Sequence, residues 1–173
     1  MPLRFLAIIV TALATIAPGA HLLELPHKLE LAKDSYFIVQ RIYTRWWIAG
    51  LLLPLALLAN IVQAFIAGDH AVGRFLALGA SVCLLVNLVI FVVVTRPANA
   101  VTQNWTVQSD NWEALRRQWE YSHAVNAGVS FAAFCLATIA ALTEQRGSAK
   151  KSRLCRRGDL ALTSRTRLSG GAG

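Results

Sequence analysis

The sequence predicts an all-α protein, a four-helix transmembrane bundle with two partly helical interfacial connectors on one side. Hydrophobic residues make up 55% of the 173 residues and charged residues only 15%, whereas a soluble domain carries about a quarter charged residues. The charged residues fall in short stretches. Between them lie four nearly uncharged runs, each long enough for the roughly 20 helical residues that cross a bilayer. The period-two alternation of a membrane β-barrel is absent from the sequence.

We predict the four spans at residues 3–25, 46–67, 75–95 and 121–142. Pro54 predicts a kink in the second span. The first span has an alternative interpretation, because Arg4 and the small residues 17–20 also resemble a cleaved signal peptide. Pro18 within that site fits cleavage poorly, and the apolar run continues through Leu25. Cleavage stays open as the lesser alternative.

The first connector joins spans one and two and has the pattern of a short helix. Asp34 or Ser35 can cap its N-terminus. Tyr36, Gln40, Tyr43 and Trp47 then share one face, because they are spaced by three or four residues. The connector is therefore predicted to present a mixed polar and aromatic face at the membrane interface.

The second connector joins spans three and four. Ser109 or Asp110 can cap a helix that begins near Asn111 and runs straight into span four. Spans two and three, in contrast, are joined only by a tight turn at residues 68–73. With four spans, both connectors lie on one side of the membrane, and the termini and the short turn lie on the other.

The C-terminal part of the chain changes composition abruptly and carries most of the net charge of +8. We divide the chain into a four-span domain, residues 1–145, and a basic tail, residues 146–173, which we predict to be disordered. A basic segment beside a membrane helix favours anionic lipid over nucleic acid. We therefore expect a multi-pass protein of the plasma (inner) membrane whose partner is the lipid bilayer, with no nucleic acid bound.

The candidate catalytic residues gather at one depth. His21 and Glu24 lie at the end of span one, and His123 and Asn126 lie at the start of span four. Because neighbouring spans are antiparallel, these two ends lie on the connector side together. His21 and Glu24 are three residues apart, as are Glu120 and His123. A carboxylate and an imidazole at that spacing can ligate a metal or form an acid/base pair.

The metal alternative has one specific form. Glu24 with His27, and Glu120 with His123, match the Glu-x-x-His spacing of di-iron bundles. Pro26 interrupts the first copy, and spans two and three supply no Asp or Glu. We therefore assign no metal ligand. The cofactor stays unknown, either none or a His-ligated metal such as iron or copper.

A purely structural interpretation of the same residues is also open. Glu24 can pair with Lys28 four residues later. Glu120 can pair with Arg116 in the same way. The imidazoles can bind backbone carbonyls, and the five tryptophans can lie at the headgroup level.

The motifs resemble those of a known family. They are HLLELP at 21–26, VQ at 39–40, IY at 42–43, RPAN at 96–99, NWT at 104–106, NWEALR at 111–116 and QWEYSHA at 118–124. Over residues 5–143 the chain resembles a small four-helix integral membrane family, mostly of unknown function, that is related to anthrone oxygenases. The resemblance implies oxygenation of a polycyclic aromatic such as an anthrone, giving a quinone.

In that interpretation His21 or His123 is the base that removes an acidic CH₂ proton. Glu24 orients the base, and Trp112 and Trp119 form the walls of an apolar pocket. The residues expected to contact the substrate are Tyr36, Tyr43, Asn104, Trp105, Trp112, Arg116, Trp119 and Asn126.

Two other function classes stay open. One is a non-catalytic membrane protein, either an accessory subunit or a binder of an apolar small molecule. The other is a channel or transporter, which would have to oligomerise because it has only four spans. A homo-oligomer or a membrane complex is compatible with each class.

Overall fold

The computed structural model describes residues 2–67 and 70–169, and side chains for residues 3–67 and 70–143. The helices are α1 (Pro2–Glu30), α2 (Lys33–Gln40), α3 (Trp47–Gly50), α4 (Leu52–Ile66), α5 (Ala71–Ile90), α6 (Arg96–Val101) and α7 (Trp112–Ser169), with a 3₁₀ turn at Arg41–Tyr43 and a π turn at Phe91–Thr95. Within these described ranges there is no strand, and the predicted all-α fold class is confirmed.

Four helical segments are long and apolar enough to cross a membrane: Leu3–Glu30, Trp47–Ile66, Ala71–Val101 and Trp112–Thr143. They form a ring in which α1 and α5 each pack against both α4 and α7. Large apolar side chains point outward, among them Phe65 at 82% exposed. The interior is lined instead by alanines, which let membrane helices approach closely. The chain is thus a multi-pass integral membrane protein.

Helix α1 runs past both of its prolines, Pro18 and Pro26, and ends at Glu30. The expectation that Pro26 interrupts the helix between Glu24 and His27 is wrong. A proline removes one backbone hydrogen bond, but the remaining bonds and the packing of α1 against α7 keep the helix intact. As a consequence Lys28 stays on the helical face that carries His21 and Glu24.

The second span is interrupted at Leu51, between α3 and α4, so that Pro54 lies in the first turn of α4. We predicted a kink within the span; the structure has a break just before the proline instead. A proline is tolerated in a first turn, where its missing N–H leaves no helical bond unmade.

The third span widens into the π turn before Pro97. The backbone N–H of Arg96 bonds to the carbonyl of Phe91, five residues earlier. Gln118 of α7 donates to the carbonyl of Val94 at 2.8 Å. The turn therefore ends α5 and redirects the chain into α6 without leaving these carbonyls unpaired in an apolar layer.

The first connector helix begins at a residue other than those we predicted, and the second begins where we predicted. Ala32 is the N-cap of α2 and makes no side-chain cap bond, and Asp34 lies within the first turn. The prediction of Asp34 or Ser35 as the cap is therefore wrong. An acidic group in the first turn still favours the helix through its dipole. Helix α7 begins at Trp112 and continues into span four, as predicted near Asn111.

The backbone of α7 is helical through Ser169, beyond the residue at which we predicted the tail to lose regular structure. Lysine, arginine, leucine and alanine in this segment have high helix propensity. The side chains from residue 144 onward lie outside the described part of the chain. The division at residues 145 and 146 therefore stays a prediction.

Candidate functional site

Two imidazoles meet where α1 ends and α7 begins. The ring centroids of His21 and His123 are 4.4 Å apart. His21 is buried and His123 is half-buried. The two helices are antiparallel neighbours, so a residue near the end of one faces a residue near the start of the other. We call the residues around this pair the imidazole layer: His21, Glu24, Lys28, Tyr36, Gln40, Tyr43, Trp46, Trp119, Glu120 and His123.

Lys28 lies at the centre of the imidazole layer. Its Nζ is 3.5 Å from Glu24 Oε2 and 3.2 Å from Glu120 Oε1. The same atom is 3.4 Å from His21 Nδ1. Lys28 is only 3% exposed, so its charge depends on these partners rather than on water. One buried ammonium group thus joins two carboxylates and an imidazole.

Glu120 is held from the first connector. Tyr36 donates to Glu120 Oε1 at 3.0 Å, and Gln40 Nε2 lies 3.4 Å from the same oxygen. Gln40 Nε2 also donates to the Tyr36 hydroxyl. Glu120 is fully buried, and its Oε2 has no hydrogen-bond partner among the described residues. Glu120 thus contacts Lys28, and not Arg116, the partner that the structural interpretation offered.

Glu24 is bound by the other connector tyrosine. Tyr43 donates its hydroxyl proton to Glu24 Oε2. Burial raises the pKa of Tyr43, and its hydrogen bond to the Glu24 carboxylate raises it further. Burial also raises the pKa of Tyr36, and the nearby Glu120 carboxylate adds to this effect. Both phenols therefore stay protonated at neutral pH and act as donors to the two carboxylates.

Glu24 is only partly buried, with 40% of its side chain exposed. Its Oε2 is 3.7 Å from His21 Nδ1, which is longer than a hydrogen bond. Lys28 is closer to that nitrogen. The geometry therefore places Lys28, rather than Glu24, in direct contact with the His21 ring.

Aromatic rings enclose both imidazoles. The Trp119 ring centroid is 4.8 Å from that of His21 and 4.2 Å from that of His123. Tyr43 and Trp46 pack on His21 at 4.6 and 5.3 Å. Lys28 Nζ also lies over the Tyr43 and Trp119 rings, at 4.4 and 4.9 Å from their centroids. These are cation–π distances.

Above the imidazole layer the two connectors form a common cap. Its buried residues are Tyr36, Phe37, Ala98, Trp105, Leu115 and Trp119. Arg116 donates to the carbonyl of Leu31 at 2.8 Å and stacks on Trp112 at 4.6 Å. It thereby ties the end of α1 to the start of α7. The cap covers the imidazole layer on the connector side.

The structure divides the predicted site residues into two groups. Glu24, Tyr43 and Trp119 contact the His21 ring or its lysine partner directly. His123 packs on the His21 ring, and Tyr36 joins the layer through Glu120. The remaining predicted residues lie outside the layer. Trp105, Trp112 and Arg116 belong to the cap, Asn104 is exposed, and Asn126 pairs with Asn87 deeper in the bundle.

Three central residues, Lys28, Glu120 and Gln40, were absent from the predicted site. The spacing of Lys28, four residues after Glu24 and seven after His21, was a usable signal. Its use required α1 to continue past Pro26. The Glu120 to Tyr36 bond spans 84 residues of sequence, so no local pattern indicated it.

The described residues contain no group of three or more His, Cys, Asp or Glu side chains that could hold a metal ion. Lys28 Nζ lies between the carboxylates of Glu24 and Glu120, where a di-iron centre would place a cation. His27 is exposed and outside the imidazole layer. The residues therefore do not fit the Glu-x-x-His di-iron arrangement.

His123 differs from His21 in its bonding. Within the part of the chain that the structure describes, its ring makes aromatic contacts but no hydrogen bond. The imidazole layer thus combines an imidazole that makes no hydrogen bond to the described residues, a buried ammonium group and surrounding aromatic rings. Together these groups can accept a proton and stabilise an anion. No protein-family model, curated protein or solved structure matches this chain.

Proposed function

We propose that this protein is a membrane-embedded oxygenase that acts on an apolar aromatic with an acidic C–H bond, such as an anthrone, and forms the quinone. One observation carries the proposal: a His123 ring without a hydrogen bond lies 4.4 Å, centroid to centroid, from a His21 ring that contacts a buried ammonium group. A base beside a cation suits the removal of a proton that leaves an anion.

The two imidazoles have different roles in this proposal. Lys28 donates to His21 Nδ1, so the neutral His21 ring carries its proton on Nε2. His21 is therefore a donor, and His123 is the base. The Lys28 ammonium group stabilises the negative charge that moves onto the substrate carbonyl oxygen. Glu24 and Tyr43 hold Lys28 in place.

The reaction balances with molecular oxygen as the oxidant. His123 takes one CH₂ proton, and the resulting carbanion adds O₂ at the same carbon to give a peroxide anion. That anion takes the proton back from His123. Loss of water, which uses the second hydrogen of the CH₂ group, leaves the new carbonyl. Overall CH₂ and O₂ become C=O and H₂O, with the carbon oxidised and the oxygen reduced.

The test uses anthrone with the purified full-length protein in detergent. Without oxygen, exchange of the anthrone CH₂ hydrogens into deuterated water reports proton removal alone. With oxygen, anthraquinone formation reports the whole reaction. We expect His123→Gln to lower both rates by about 100-fold or more, since a positioned general base contributes on that scale. His27→Gln, at an exposed histidine outside the layer, is the matched control.

Rates in the His123→Gln protein equal to those of the parent would remove the proposed base. Hydrogen exchange of anthrone without anthraquinone formation would support proton removal by the protein but contradict the oxygenase proposal.

A second candidate is a non-catalytic binder of an apolar aromatic. It is favoured by the two carboxylates that contact Lys28, those of Glu24 and Glu120, because they already neutralise the charge that would stabilise a substrate anion. This candidate predicts that anthraquinone quenches tryptophan fluorescence in the parent protein and that Trp119→Leu weakens the quenching. The same preparation would neither exchange nor oxidise anthrone.

A further inference from the structure

A second group of buried polar side chains lies in the other half of the bundle, toward the short turn between α4 and α5. Asn60 and Gln63 are on one face of α4, three residues apart, and both are buried. Asn60 Nδ2 donates to Thr11 Oγ1 of α1 at 2.8 Å. The neighbouring buried residues are alanines, among them Ala64, Ala77 and Ala140.

This group has hydrogen-bonding atoms that no described side chain or backbone group satisfies. Both amide atoms of Gln63 and the Oδ1 of Asn60 lack a partner among the described residues, although Gln63 is only 1% exposed. An amide without a partner is strongly disfavoured in an apolar interior. These atoms therefore need a polar partner outside the described residues.

Asn87 provides the contrast. It also lies within the bundle at 2% exposed, yet both ends of its amide are paired. It donates to Asn126 Oδ1 at 2.7 Å and accepts from Ser130 Oγ at 2.9 Å. Such pairing is how polar residues usually join membrane helices. Asn60 and Gln63 therefore do more than join helices.

An apolar layer separates this group from the imidazole layer. It consists of Ala14, Ala56, Leu84 and Ala133. Asn60 and Gln63 follow Ala56 along α4 and approach Ile66, where the helix ends at the short turn. The group thus belongs to the half of the bundle opposite the connectors.

We propose that Thr11, Asn60 and Gln63 form a hydrated site, which takes up water from the short-turn side of the membrane and ends at the apolar layer around Leu84. The unpaired atoms are two acceptors and one donor group, and a water molecule can both donate to and accept from them. Helices α4 and α5 contain no Asp or Glu. They therefore offer no carboxylate that would favour a metal cation over water. This site is independent of the proposed oxygenase.

Cysteine accessibility in lipid vesicles tests the proposal. Cys83, Cys135 and Cys155 are replaced by alanine, and single cysteines are introduced by Gln63→Cys and Asn60→Cys. A small methanethiosulfonate reagent reacts with the thiolate, which forms only where water reaches the sulfur. Labelling is quantified by mass spectrometry. Circular dichroism and a single gel-filtration peak in detergent verify that each variant folds.

The matched controls are lipid-facing positions at similar depth. They are Phe65→Cys and Leu58→Cys, at residues 82% and 58% exposed. We expect labelling at 63 and 60 to exceed labelling at 65 and 58 by about tenfold or more, because a thiol in hydrocarbon does not ionise. Leu84→Cys in the apolar layer should remain unlabelled. Equal rates at 63 and 65 would overturn the proposal.

Sidedness and a measurement on unsubstituted residues complete the test. His70→Cys, at an exposed residue beside the short turn, marks the side from which position 63 should be labelled. In the parent protein, solid-state NMR should transfer magnetisation from water to the side-chain amide of Gln63, identified by its loss in Gln63→Met. No transfer to that amide would contradict the hydrated site even if a cysteine variant failed to fold.

Discussion

Lys28 makes the imidazole layer a single unit, because one ammonium group contacts Glu24, Glu120 and His21. Two carboxylates at the edge of an apolar bundle repel one another and lose much of their hydration. The ammonium group between them offsets both effects. Lys28 therefore stabilises the folded protein, whether or not it also stabilises a substrate anion.

Removal of Lys28 should therefore destabilise the folded protein. We expect Lys28→Met to lower the free energy of unfolding by about 3 kcal/mol or more, since it leaves the buried Glu120 carboxylate without its counter-ion. Adding Glu120→Gln should restore part of the loss. Unfolding in mixed detergent micelles measures both effects, with Lys33→Met as a control at a less buried lysine. Equal effects of the two lysine variants would contradict the central role of Lys28.

Tyr36 supports Glu120 through its hydroxyl, and the bond is testable by pH. Tyr36→Phe should lower the free energy of unfolding by about 1 to 3 kcal/mol at neutral pH. Burial raises the pKa of Tyr36 above the ordinary tyrosine value of about 10. The unfolded chain then releases this proton first as the pH rises, so the parent loses stability above about pH 10. The Tyr36→Phe protein has no phenol at this position, so this part of the alkaline loss of stability is absent from it.

The gap between parent and Tyr36→Phe should accordingly narrow between pH 9 and pH 11, as followed by unfolding at each pH. Tyr121→Phe, at an exposed tyrosine, controls for the general effect of alkali. A gap that widened with pH would show that the phenol ionises more readily in the folded protein.

At the scale of the elements, the second connector contains a strained turn. Gln103, Asn104 and Trp105 have φ of 48°, 57° and 64°, and all three are non-glycine residues. The left-handed conformation is unfavourable for side chains with a Cβ. The turn is fixed by a 2.7 Å bond from the Asn104 N–H to the Asn99 carbonyl. It directs the Trp105 ring into the cap.

Glycine at the first of these positions should relieve the strain. Gln103 is exposed, so Gln103→Gly removes little packing. We expect a gain of about 0.5 to 1 kcal/mol in the free energy of unfolding, the net of relieved left-handed strain and added freedom of the unfolded chain. Val107→Gly, outside the positive-φ run, should destabilise the protein. Destabilisation by Gln103→Gly as well would argue against stored strain.

The elements also show where sequence reasoning succeeds. Long uncharged runs require spanning helices, so the four spans followed directly from composition. Antiparallel packing then placed His21 and His123 at one end, as observed. The error at Pro26 arose because a proline weakens a helix locally, whereas tertiary packing decides whether the helix continues. That error hid Lys28, and with it the centre of the layer.

The contacts within the cap could not be predicted from local sequence patterns, for a different reason. The Tyr36 to Glu120 bond and the packing of Trp105 on Tyr36, with ring centroids 5.1 Å apart, join residues that are far apart in sequence. Periodicity indicates which face of a helix is apolar, but not which partner that face meets. Of the predicted face, Tyr36, Gln40 and Tyr43 do point into the imidazole layer, but the pattern did not indicate their partners. Trp47 does not belong to that face, because it begins a separate helix and is 68% exposed.

At the scale of the whole molecule, the bundle is a stack of three zones. The imidazole layer lies under the connector cap, the Leu84 layer forms the apolar middle, and the proposed hydrated site lies near the short turn. Asn87, one turn from Leu84 on α5, extends the polar side chains of the connector half up to that middle layer. With the proposed hydrated site on the other side, we expect the barrier to water and protons along the bundle axis to be thin and to depend on Leu84.

A polar residue at position 84 should join the two polar zones. We expect Leu84→Asn to increase the proton permeability of lipid vesicles severalfold, because water can then bridge Asn60 to Asn87 past the small side chains of Ala14, Ala56 and Ala133. The decay of an imposed pH gradient, read by an entrapped pH-sensitive dye, measures this permeability.

Leu85→Asn is the control, since Leu85 lies at the same depth but is 50% exposed toward lipid. Gln63→Leu in the Leu84→Asn background should reduce the leak, because it removes the hydrated site that supplies the water. A gradient that decays equally fast with the parent, Leu84→Asn and Leu85→Asn would show that Leu84 is not the barrier. A leak that Gln63→Leu leaves unchanged would instead place the path of water outside the proposed site.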